Sequence, residues 1–61
     1  AMEDLYVWNN GNYCTATDMN EDVAIEFGFK YQVLTADTTF REILQMDDGI
    51  IAAINDYFKS R

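Results

Sequence analysis

The chain has 61 residues, with 49% hydrophobic and 15% aromatic residues and no proline, which supports a packed core and argues against disorder. Its formal charge is −7, from 11 Asp and Glu against 4 Lys and Arg, which argues against direct binding to nucleic acid or to an anionic membrane. One cysteine and no histidine remove disulfides and most structural metal sites as staples, so self-association is what remains to steady so small a unit.

No apolar run reaches the roughly 18 residues of a membrane span, and the N-terminus lacks the basic start and apolar stretch of a signal peptide. A cytoplasmic location is expected, in keeping with a lone thiol. Ala1 before Met2 reads as a cloning remnant, with Met2 the expected start of a short gene product.

The first local signal is Leu5-Tyr6-Val7-Trp8, then Asn9-Asn10-Gly11-Asn12, then Tyr13-Cys14-Thr15-Ala16. An Asn-Gly pair between two β-prone runs predicts a hairpin with a two-residue type I′ turn. With Asn10-Gly11 as the turn, Trp8 faces Tyr13, Tyr6 faces Thr15, Val7 faces Cys14 and Leu5 faces Ala16.

Asp18, Asn20 and Asp22 have the spacing with which calcium loops present oxygens, but Val23 stands where such a loop needs glycine and Phe29 where it needs glutamate. A solvated turn is expected there. From Val23 to Val33 the alternation is unbroken. Val23, Ile25, Phe27, Phe29, Tyr31 and Val33 share one side, which predicts a long half-buried strand with a bulge or bend at Gly28. Its outer part, Phe29 to Val33, would outrun its neighbour and need cover from a helix or a second chain.

The helical part begins at Thr39, which with Glu42 fits a capping box. Phe40, Ile43, Leu44, Ile50, Ile51, Ile54, Tyr57 and Phe58 then fall on one helical face. Asp47 interrupts that face and reads best as the N-cap of a second helix, with Gly49 easing the break; one kinked helix is the alternative. The predicted fold is α+β and a single domain over residues 1–61. It has a three-stranded antiparallel β-meander over 2–35, and one or two C-terminal helices over 37–60 packed on one sheet face.

The parity of the turn at Asp18 to Asp22 decides which hairpin face is buried. An even loop is favoured because it sets small residues against large ones, with a core of Leu5, Val7, Cys14, Ala16, Val23, Ile25 and Phe27. Tyr6, Trp8 and Tyr13 would then lie on an open face of the kind that marks an interface; an odd loop would bury them instead.

Little catalytic inventory is present, so an enzyme is not expected. Cys14 has no histidine to activate it and reads as a small buried hydrophobe, and neither a cofactor nor a resident metal is implied. Residues 1–29 hold six carboxylates and no Lys or Arg, a side-chain sum of −6; residues 30–61 sum to −1. Meander geometry would crowd Glu3, Asp4, Asp18, Glu21 and Asp22 on one sheet edge.

The expectation is a small acidic, non-enzymatic module whose partner-binding residues are Tyr6, Trp8, Tyr13, Glu3, Asp4, Asp18, Glu21, Asp22 and Glu26, and whose partner is a protein with a basic surface. In its sharpest form this is an inhibitor that mimics nucleic acid, of the kind small mobile-element genes encode, with acids in place of phosphates and an aromatic ring in place of a base. The alternative is a homodimer or larger homo-oligomer with a structural or regulatory role.

Overall fold

A computed structural model of the chain describes residues 3–60, so the reading of Ala1 and Met2 lies outside the described residues. The elements are β1 (Leu5–Val7), β2 (Tyr13–Thr15), α1 (Glu21–Phe27), β3 (Gln32–Leu34), α2 (Phe40–Leu44) and α3 (Asp48–Lys59). The class is α+β, with a three-stranded antiparallel sheet and helices. The strand order is β2-β1-β3, so β1 lies in the middle and the expected meander is corrected.

The hairpin forms where Asn10-Gly11 predicts it, but one step out of the expected register. Leu5 faces Thr15, Tyr6 faces Cys14 and Val7 faces Tyr13. A type I′ turn needs positive φ at two residues, and among the described residues no non-glycine has one. The loop instead has three residues, Asn9 to Gly11. The Trp8 amide donates to the Asn12 carbonyl (2.9 Å) and the Gly11 amide to the Trp8 carbonyl (3.2 Å), with Gly11 alone at φ +92°. One step of register changes which side chains share a face. Tyr13 therefore joins Leu5 and Val7, and Cys14 joins Tyr6.

The largest correction concerns residues 23–33. Residues 21–27 are helical, and only Gln32–Leu34 is strand, paired to β1 rather than to β2. The helix is held at both ends by local chemistry. The Asn20 side-chain oxygen accepts from the Val23 amide (3.0 Å), Glu21 and Asp22 occupy the favourable first turn, and the Gly28 amide closes on the Ala24 carbonyl at φ +116°. Ala24 is buried and Val23 and Phe27 are half-buried, whereas Ile25 is 62% exposed. The buried positions thus follow the helical spacing i, i+1, i+4. Because β2 and β3 are not neighbours, the parity of the intervening turn no longer decides what is buried. Ala16 and Ile25 leave the expected core, and Cys14 is only half-buried.

The capping box is present with both of its bonds. The Thr39 hydroxyl accepts from the Glu42 amide (3.1 Å), and the Glu42 carboxylate accepts from the Thr39 amide (2.9 Å). Asp47 is the N-cap residue of a separate helix, α3, although its side chain makes no capping bond. Gly49 answers a different need from the expected break. A Cβ there would lie 1.8 Å from the Asn9 carbonyl oxygen, so the first turn of α3 meets the hairpin loop backbone where only glycine fits.

The core forms where α3 crosses the sheet. Leu5, Val7 and Leu34 from β1 and β3 meet Ile50, Ala53, Ile54 and Tyr57, with Tyr13, Ile43 and Met46 at the margin. The predicted apolar stripe therefore divides. Ile50, Ile54 and Tyr57 are buried, while Phe40, Leu44 and Phe58 are exposed.

Candidate functional site

The three aromatic residues expected on an open face do not form one. Trp8 is 2% exposed. Its indole N–H donates to the Gly28 carbonyl (2.8 Å), and its ring stands edge-on to Phe27 (5.2 Å) and Tyr31 (5.7 Å). Tyr6 is half-buried, edge-on to Tyr31 at 5.2 Å. Tyr13 lies on the opposite sheet face, half-buried against Tyr57 (ring centroids 5.6 Å), its hydroxyl 3.5 Å from that of Ser60. The register slip separates Tyr13 from the other two. Trp8 and Tyr6 pack on the loop after α1.

The acidic residues are gathered in two groups. Antiparallel pairing brings the start of β1 to the end of β2, where the Ala16 amide donates to the Asp4 carbonyl (2.9 Å). Glu3 accepts from the Thr17 amide (3.1 Å) and from the Thr17 hydroxyl, and Asp18 accepts from the Thr15 hydroxyl (3.4 Å). Glu3, Asp4 and Asp18 thus share one end of the hairpin, with Glu3 and Asp18 exposed. The second group, Glu21, Asp22 and Glu26, is exposed on α1 together with Ile25, and α1 has no basic residue in its last turn.

Asn20, the middle member of the calcium-like spacing, is spent on capping α1. Among the described residues, no group of three or more His, Cys, Asp or Glu could hold a metal ion. Burial, and then the carboxylates of Asp18 and Glu3, push the Cys14 thiol above its ordinary value, so it stays protonated at neutral pH and is a poor nucleophile.

Sequence reasoning missed a surface between α2 and α3. Phe40, Ile43 and Leu44 on α2 and Ile51, Ile54 and Phe58 on α3 line a groove of ≈ 310 Å³. Phe40 is 73% exposed, Leu44 61% and Phe58 48%. The eight apolar positions of the helical stripe are the only signal for it, and how many of them a sheet covers depends on strand lengths that the structure alone gives. No helix among the described residues is long and apolar enough to cross a membrane. Comparison with protein-family models, curated proteins and solved structures finds no match to this chain.

Proposed function

We propose that the protein is a small, non-enzymatic binding module that docks on a basic protein surface through its acidic first half. The observation that supports this reading is the arrangement of its carboxylates. Glu3, Asp4 and Asp18 meet at one end of the hairpin, and Glu21, Asp22 and Glu26 stand on α1 around the exposed Ile25, all within residues 1–29, a stretch that contains no Lys or Arg. A one-sign surface with an apolar side chain inside it speeds and orients docking while supplying some desolvated contact. A surface built to receive phosphates is one such partner, with carboxylates taking the phosphate positions. Trp8 has no part in this contact, since its indole is buried.

The test uses the immobilised chain in cell lysate at low and high salt, followed by association kinetics with the protein retained. Glu26→Lys reverses one charge at a position where a cation also suits the C-terminal end of α1, so the fold is kept. A basic protein released by salt, with slower association to the Glu26→Lys form, is expected. Retention that is indifferent to salt, or association unchanged by the substitution, would count against the reading.

A further inference from the structure

We infer that the groove between α2 and α3 is the contact by which two copies of this chain pair about a two-fold axis. The argument starts from α2, a five-residue helix in which no residue is buried. A helix that short is marginal without tertiary packing, and Phe40 and Leu44 turn most of their surface to water. Phe58 extends the same apolar surface onto α3, and all three line one groove with Ile43, Ile51 and Ile54. Scattered exposed hydrophobes need no explanation, but a contiguous apolar patch does.

Three features point to a second copy as the occupant. The first is charge. Two chains of −7 repel, yet the groove belongs to residues 30–61, whose side chains sum to −1 and which contain every Lys and Arg of the chain. Arg41 on α2 and Lys59 on α3 are exposed on the two helices that form the groove, with Glu42 next to Arg41 and Asp56 one helical turn before Lys59. Contact here brings mixed charges together, and none of the six acidic residues of the first half lines the groove.

The second feature is shape. A two-fold contact needs a self-complementary face, and this groove is lined both by exposed side chains, Phe40, Leu44 and Phe58, and by less exposed ones, Ile51 and Ile54. The third is area. At about 150–250 Å² for an aromatic side chain, Phe40, Leu44 and Phe58 together present roughly 350 Å² of apolar surface. Covered on both copies, that is roughly 700 Å² of apolar surface, which at the usual apolar share of about 58–65% corresponds to an interface of roughly 1,100–1,200 Å² in total, about the lower limit for a specific one. The contact shares no residue with the proposed acidic docking surface, so either reading can fail without the other.

Sedimentation of the full chain from low to high micromolar concentration, with circular dichroism as the check on folding, tests the pairing. The wild type is expected to pass from monomer to dimer. Leu44→Glu and Phe40→Glu, the latter placing a carboxylate in the favourable first turn of α2, should weaken the dimer about tenfold or more with an unchanged spectrum. Isotope-filtered contacts between the Phe40 ring of one copy and Ile51 of the other supply a measure that requires no substitution. A wild type that stays monomeric at high micromolar concentration would overturn the inference. So would a dimer indifferent to both substitutions, one broken instead by Val33→Lys on the sheet, or a monomer whose groove is filled by a different protein.

Discussion

Trp8 is the residue whose role the fold changes most. In sequence it is an aromatic residue at the end of a β-prone run; in the structure it is the anchor to which the loop after α1 is tied. Trp8→Phe keeps an aromatic ring beside Phe27 and Tyr31 but leaves the Gly28 carbonyl without its donor. The expected cost is about 1 kcal/mol, measured as a lower midpoint in urea unfolding with an unchanged slope. An unchanged midpoint would mean that the bond contributes nothing.

Glu42 gives a pH-dependent test at the same scale. The Thr39 backbone amide, and secondarily its hydroxyl, hold the Glu42 carboxyl below the ordinary glutamate range. Glu42 therefore binds its proton less tightly folded than unfolded. The contribution is present above the unfolded value and is lost as pH falls through the depressed folded one. A carbon-detected titration should place the Glu42 midpoint below that of a free glutamate. In Thr39→Ala it should return only part of the way, because the larger cause is a backbone group that alanine retains.

At the scale of elements, the parts legible in the sequence are those fixed by bonds a few residues long. The Thr39–Glu42 capping box stands where residue chemistry places it, the hairpin turns at Asn10-Gly11 though with a three-residue loop, and α3 starts after Asp47 through backbone bonds to its carbonyl rather than a side-chain cap. The α1 segment reads as a strand by its alternation, although its Asn20 cap, acidic first turn and Gly28 end are all present in the sequence. Val23, Ile25 and Phe27 alternate as a strand does, and over seven residues Val23, Ala24 and Phe27 serve equally well as a helical face. The capping chemistry distinguishes the two, and it outweighs the alternation.

The junction of α3 with the hairpin gives a prediction of the same scale. Gly49→Ala would drive a Cβ into Asn9, whose backbone carbonyl, unlike its side-chain oxygen, cannot turn aside. The first turn of α3 would have to lift from the loop. Although alanine is the better helix former by about 1 kcal/mol, a net loss of about 1–3 kcal/mol is expected from overpacking. Thermal unfolding decides it, and a variant as stable as the wild type would show that the contact yields freely.

At the scale of the whole molecule, the acidic candidates proved more legible than the aromatic ones. Charges prefer water in almost any fold, so Glu3, Asp18, Glu21, Asp22 and Glu26 are exposed even though the strand expected around Glu26 is a helix that takes in Glu21 and Asp22 as well. Aromatic side chains go wherever the sheet register sends them. One step of slip in the hairpin places Tyr13 against α3, and the loop after α1 buries Trp8.

By itself, the sequence determined the α+β class, the place of the hairpin turn, the Thr39–Glu42 capping box, the start of a second C-terminal helix at Asp47, and the concentration of negative charge in the first 29 residues, because each depends on composition or on near neighbours. Only the tertiary structure decided the order β2-β1-β3, the hairpin register, the burial of Trp8 and the division of the helical stripe into core and groove. These depend on which of several compatible apolar surfaces meet. In a chain this short the single sheet face can cover only Ile50, Ala53, Ile54 and Tyr57 of α3, leaving Phe40, Leu44 and Phe58 outside.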